Sequence, residues 1–179
     1  GEDFTKPAVI ICNHQSHLDL APMLALTPKI IVLTADWVWK NPVYRFTIRN
    51  AEFLPASSGM DARMPQLKSL VERGYSIAIY PEGTRSMDCS IGRFRQGAFH
   101  VAQTLGIDIL PVVIYGTGKA LKKRGRLLRK WPVHMEIDRR ITPEEMKSMG
   151  ETTRQQASQM RKYYQKRYTE IADRIEQDV

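Results

Sequence analysis

The 179-residue sequence predicts a single α/β domain with a central, mostly buried mixed β-sheet flanked by helices. Three observations carry that expectation. Apolar runs bounded by turn residues alternate with stretches of helical period. Several of the runs are unbroken Ile and Val, the composition of strands covered on both faces. The balance of 42% hydrophobic and 26% charged residues is ordinary for a globular chain. A chain of this length buries about two-thirds of its unfolded surface without disulfides or a structural metal. Those values exclude a disordered or fibrous chain and a disulfide-stapled mini-protein. Cys12 and Cys89 show no metal-ligand spacing and read as reduced thiols of a cytosolic environment. No apolar stretch approaches the roughly 20 residues of a transmembrane helix. The opening Gly1-Glu2-Asp3-Phe4 carries no targeting features, so the chain reads as a piece excised from a longer polypeptide.

In chain order, strands are expected over 8–12, 30–34, 51–54, 76–80, 109–115 and 133–137, each bounded by Pro, Gly, Asn or Asp. Helices are expected at about 16–26, 42–49, 64–73 and 96–105, the last two closed by Gly74 and Gly106 as C-caps. Thr142-Pro143-Glu144-Glu145 places Thr at an N-cap, Pro at the first helical position and Glu three residues on, which is a capping box. Thr152 with Gln155 starts a final helix. On it Met160, Tyr164, Tyr168, Ile171 and Ile175 recur at three- and four-residue steps. That stripe favours core packing over membrane contact, so segment 151–179 is expected as an amphipathic helix packed on, or extending, a domain of residues 1–150.

The net charge of +8 is concentrated in one place. Between Lys119 and Lys130 there are seven basic residues and no acidic ones: Lys119, Lys122, Lys123, Arg124, Arg126, Arg129 and Lys130. Leu121, Leu127, Leu128 and then Trp131 lie among or beside them. A solvated basic loop is the plain reading. Basic heads beside Leu and Trp also suit an anionic membrane surface, where each cation contributes about 1 kcal/mol. No helix-turn-helix, zinc-finger or RNA-binding pattern accompanies the charge, so nucleic acid is not expected as a partner.

Two segments carry candidate chemistry. Asn13-His14-Gln15-Ser16-His17-Leu18-Asp19 stands where a buried strand ends and a helix begins, the place where α/β domains expose reactive groups. The spacing lets Asp19 fold back to accept the imidazole N–H of His14, fixing the tautomer and making His14 a general base. Ser16 is either an N-cap or, in a hydrolase, a nucleophile, although no G-x-S-x-G elbow surrounds it. A metal held by His14, His17 and Asp19 would lack a fourth ligand, and none is expected. The second segment, Tyr80-Pro81-Glu82-Gly83-Thr84-Arg85-Ser86, also follows a strand. Its turn presents Glu82, Thr84 and Arg85, and the Arg fork with Arg93 and Arg95 nearby suits a phosphate.

Taken together, the two segments resemble the lysophospholipid acyltransferase family, or glycerolipid acyltransferases. The first block of that family reads Asn-His-Arg/Gln-Ser-x-x-Asp, as Asn13 to Asp19 do here. Its third reads aromatic-Pro-Glu-Gly-Thr-Arg-Ser, as Tyr80 to Ser86 do. Trp39-Lys40-Asn41-Pro42, Arg95-Gln96-Gly97-Ala98-Phe99 and Ile109-Leu110-Pro111-Val112-Val113 resemble other family segments, so about residues 7–117 are covered. In the second block Ala56 stands where the family has an Arg associated with the glycerol-phosphate headgroup, and Arg49 or Arg63 are the nearby candidates to replace it. The resemblance implies transfer of a fatty acyl group from acyl-CoA or acyl carrier protein to a lysolipid hydroxyl, with no bound cofactor. His14 and Asp19 would be catalytic. Glu82, Gly83, Thr84 and Arg85 would hold the acceptor, and backbone N–H groups near one of the turns the oxyanion. The basic loop, Lys122, Lys123, Arg124, Arg126, Arg129, Lys130 and Trp131, would meet the carrier or an anionic leaflet. The expected location is the cytoplasmic face of a membrane, as the peripheral part of a longer anchored protein. The rival classes are a hydrolase or thioesterase working through Ser16 and a lipid- or carrier-binding domain without turnover.

Overall fold

The computed structural model describes residues 2–34, 53–55, 60–125 and 127–177. The expected helix at 42–49, the segment Trp39 to Pro42, Arg49, Ala56 and Arg126 lie outside them. Strands β1 (Val9–Cys12), β2 (Ile30–Thr34), β3 (Phe53–Pro55), β4 (Ser76–Ile79) and β5 (Ile109–Tyr115) are parallel, and β6 (His134–Ile137) is antiparallel to β5. They form one sheet in the order β3-β2-β4-β1-β5-β6. The mixed sheet expected from the sequence is present.

Both faces of the sheet are covered, which is why the central strands are apolar at every position. Side chains alternate across a strand. Val9 and Ile11 of β1 and Ile109, Val113 and Tyr115 of β5 therefore enter one core, while Ala8, Ile10 and Cys12 with Leu110, Val112 and Ile114 enter the other. The first core is closed by helices α2 (Met60–Glu72), α3 (Gly97–Leu105), α5 (Pro143–Ser148) and α6 (Thr153–Glu176), through Leu67, Phe99, Met146 and Met160. Met23 of α1 (Leu20–Leu24) and the N-terminal Phe4 pack on the second, and the short α4 (Thr117–Ala120) follows β5.

The helix boundaries follow local chemistry. Past α2, Tyr75 N–H reaches Leu70 C=O (3.0 Å) and Gly74 N–H reaches Val71 C=O (2.9 Å), with Gly74 at φ +87°. Ile107 and Gly106 repeat the pattern past α3, so both glycines close their helices in the left-handed conformation that a side chain disfavours. Helix α2 begins four residues before its expected start, at Met60. Pro65 inside it deprives only the Asp61 carbonyl, near the helix start, of a partner. The helix expected over 16–26 is instead a 3-10 turn, His17–Asp19, followed by the short α1. Both capping boxes, at Thr142 and Thr152, are formed.

The stripe on α6 packs against the sheet. Met160, Tyr164 and Ile171 are fully buried, and Tyr168 and Ile175 lie against the same core. Tyr164 also enters the hydrogen bonding of the sheet: its hydroxyl accepts from Val112 N–H (3.0 Å) and donates to Ile11 C=O (2.6 Å), bridging β5 and β1. On β6, Glu136 pairs with Arg167 (2.5 Å) and Arg174, tying the edge strand to the same helix. Removing the bridging hydroxyl in Tyr164→Phe strands a buried N–H and a buried C=O. The expected cost is about 1–3 kcal/mol, read as a lower urea midpoint with unchanged slope.

Candidate active site

Strands β1 and β4 are parallel neighbours, with Ile11 opposite Ile79. The two segments that follow them therefore leave the same carboxyl edge side by side. There the first is locked to the sheet by Asn13. Its fully buried amide donates to Ile114 C=O and accepts from Ile114 N–H, both at 2.8 Å, so the side chain continues the ladder one residue beyond β1.

The next three residues form a loop, half-buried at His14 and buried at Gln15 and Ser16, whose N–H groups are met by two carboxylates. Glu82 Oε1 accepts from His14 N–H (2.8 Å), and Asp19 Oδ2 accepts from Gln15 N–H (2.7 Å) and Ser16 N–H (2.9 Å). The 3-10 turn carries Asp19 back to this position, and the same Oδ2 lies 2.8 Å from His14 Nδ1. A carboxylate oxygen only accepts, so Nδ1 carries a hydrogen, and in the neutral imidazole the lone pair is on Nε2. The imidazole face stacks on Tyr80 at 4.2 Å between centroids. Burial pushes the Tyr80 phenol well up, and its hydroxyl has no partner among the described residues.

Glu82, expected among the acceptor-binding residues, is turned inward. Its second oxygen accepts from Gly92 N–H (2.8 Å), so both oxygens brace loops. Burial raises its carboxyl above the ordinary range. Gly83 sits at φ +68° with the Arg95 side chain across its open face. Thr84 and Arg85 face a residue that the sequence placed elsewhere, Lys123. Its ammonium donates to Thr84 Oγ1 (2.9 Å) and Arg85 C=O (2.6 Å), while the Arg85 guanidinium donates to Lys123 C=O (3.3 Å). The basic loop thus crosses the second turn. Trp131 is likewise turned onto Lys119, whose ammonium stands 4.7 Å from the indole centroid. Lys122, Arg124, Arg129 and Lys130 remain exposed, beside Leu127 and Leu128 at 80% and 70% exposure.

Ser16 is fully buried and caps the turn. Its hydroxyl donates to Leu121 C=O (2.8 Å) and accepts from Leu18 N–H (3.3 Å). The N–H groups of His14, Gln15, Ser16, Gly83 and Ser86 all have acceptors within the protein, so those five are not available to an oxyanion. His17 lies beside Arg85 and His14. Partial desolvation at this largely exposed ring first, then these positive neighbours, lowers its imidazole below the ordinary histidine value.

Residues 2–115 match the family model described as Acyltransferase. The chain belongs to the acyltransferase family. Among curated family members, the chloroplastic 1-acyl-sn-glycerol-3-phosphate acyltransferase of Arabidopsis thaliana is 32% identical over 120 residues, 64% of this chain and 33% of that protein. A Chlamydomonas reinhardtii protein of the same name is 28% identical over 147 residues, 77% of this chain and 43% of its own length. The chain therefore spans about a third to somewhat under half of such relatives. The crystal structure of the 1-acyl-sn-glycerophosphate acyltransferase of Thermotoga maritima shares the fold, with a TM-score of 0.70 at 24% identity over 98% of this chain and 68% of that one.

Two measurements test this geometry. Glu82→Gln presents an NH2 to one of the two N–H groups its carboxylate satisfied. It should lower stability by about 1–3 kcal/mol in urea unfolding, with Glu82→Asp recovering little because the shorter arm cannot span both loops. For His17 the native state holds fewer protons than the unfolded chain between the lowered value and 6.5, so stability falls as pH drops through that window. His17→Gln should flatten that part of the profile of urea midpoint against pH.

Proposed function

We propose that this acyltransferase-family chain moves a fatty acyl group from a thioester, acyl-CoA or acyl carrier protein, to the hydroxyl of a lysophospholipid such as 1-acylglycerol-3-phosphate. The observation that carries this reading is the contact of His14 Nδ1 with Asp19 Oδ2 at 2.8 Å, on the same sheet edge as Thr84, Arg85 and Lys123. Nε2 takes the proton of the acceptor hydroxyl as its oxygen adds to the thioester carbonyl. The tetrahedral adduct then collapses by breaking the C–S bond, and the leaving thiolate receives that proton from Nε2. No acyl-enzyme forms, in keeping with Ser16 being buried and bonded to the main chain.

Arg85, with Thr84 and Lys123, holds the anionic headgroup of the acceptor, for which a planar fork and a point charge are complementary devices. Glu82 and Gly83 act one step behind them, by shaping the turn and fixing the main chain of His14. The exposed Leu127 and Leu128 enter the interface of an anionic, cytoplasm-facing leaflet while Lys122, Arg124, Arg129 and Lys130 meet its phosphates. In this reading residues 1–150 are the catalytic body, 151–179 a helix packed on it, and the whole is the peripheral part of a longer anchored polypeptide.

The test is a product assay by mass spectrometry with both thioester types and a panel of lysolipids in micelles. His14→Ala should fold like the parent and lose about 10²–10⁴ in rate. Free fatty acid released without dependence on acceptor would instead indicate a hydrolase. Vesicle binding with no product from any pair would indicate a binding module.

A further inference from the structure

The turn that carries Thr84 and Arg85 also lines a larger concavity. A cleft of about 1060 Å³ opens there between residues 82–96 and the beginning of α6. Arg85, Arg93 and Arg95 line one wall, Arg154 lines the other, and Met87, 55% exposed, adds an apolar surface. The acidic side chains of this lining are Glu82 and Asp88, and both are engaged with neighbouring N–H and O–H groups. Glu82 holds His14 and Gly92, while Asp88 Oδ1 accepts from Ser90 N–H (3.0 Å), Ser90 Oγ (2.7 Å) and Ser86 Oγ (3.0 Å), which lowers its carboxyl to about 2. Arg93, Arg95 and Arg154 are exposed and have no acidic partner among the described residues.

Guanidinium groups from two separate elements around one concavity repel each other when it is empty, and they match a ligand bearing several anionic oxygens. The concavity suits a compact organic molecule rather than a flat bilayer, against which the exposed Leu127 and Leu128 are the protruding groups. The cleft also adjoins the proposed reaction site. Ser86 lines it, and Ser86 N–H donates to His14 C=O at 2.8 Å. A ligand anchored by an anionic end in the cleft can therefore pass its other end around a single turn of chain to His14.

We propose that this cleft binds the adenosine 3′,5′-bisphosphate end of a coenzyme A thioester, with Arg93, Arg95 and Arg154 on its phosphates and Met87 against its base. The assignment rests on the acyl-transfer reading and specifies its donor. Its test is calorimetric titration of the 179-residue chain with adenosine 3′,5′-bisphosphate, alongside AMP and the double variant Arg93→Gln/Arg154→Gln. The parent should bind the bisphosphate at one site, more weakly as salt rises and about tenfold more tightly than AMP. The double variant should lose about tenfold or more in that affinity and raise the KM for acyl-CoA with kcat little changed.

Equal affinity in parent and variant, or no heat with the parent up to millimolar bisphosphate, overturns the assignment. Because the second of these is read on the parent, it holds even if the variant fails to fold. Vesicles of phosphatidylglycerol and phosphatidylcholine separate the other source of phosphate. The variant should still bind them, and loss of vesicle binding with no competition by the bisphosphate overturns the proposal in favour of a lipid headgroup site. Bisphosphate binding by a parent that yields no product leaves the cleft standing while the acyl-transfer reading falls. Product formation without bisphosphate binding does the reverse.

Discussion

The loop leaving β1 is largely buried, and such a loop must find acceptors for its own N–H groups. The two carboxylates that meet this requirement come from different distances along the chain. Asp19 returns after one tight turn, and Glu82 arrives from the neighbouring strand β4. Each does a second job. Asp19 sets the tautomer of His14, and Glu82 ties the main chain of His14 to the loop at Gly92. The position of the imidazole is thus a by-product of satisfying the backbone around it, and the two sequence segments are one structural object. Without the parallel pairing of β1 and β4, Glu82 could not reach the main chain of His14.

Much of this was legible in the sequence, for physical reasons that differ by element. The continuous apolar strands, the caps at Thr142 and Thr152 and the glycines at 74 and 106 are local signals, each decided by a few neighbouring residues. The approach of Asp19 to His14 could be expected because it needs only one turn of chain. The role of Glu82 could not, since charge and a surface turn suggested a binding group, whereas its oxygens reach partners in two other loops. Asn13 stood in view in the first segment but gave no sign of its partner, 101 residues away.

The basic loop shows the same limit in another form. Its charge was read directly from composition, but composition assigns all of its cations to one purpose. In the fold they divide. Lys123 is drawn onto the turn at Thr84 and Arg85, and Lys119 is held among Tyr115, Trp131 and Glu176. Lys122, Arg124, Arg129 and Lys130 stay exposed beside two leucines. A single stretch of sequence therefore supplies both an internal clamp and an outward-facing surface.

The phenol of Tyr164 has a consequence for kinship. The family model matches through residue 115, the end of the last parallel strand, yet the apolar cover of that strand and of β1 extends to Ile171. The span of the family model and the span that folds as one body thus differ in extent. Cutting the polypeptide at residue 115 would uncover this face of the sheet and leave Val112 N–H and Ile11 C=O without the hydroxyl that joins them. The polypeptide after residue 115 is therefore part of the body that holds His14, because β1, the strand leading into the histidine, is hydrogen-bonded to it.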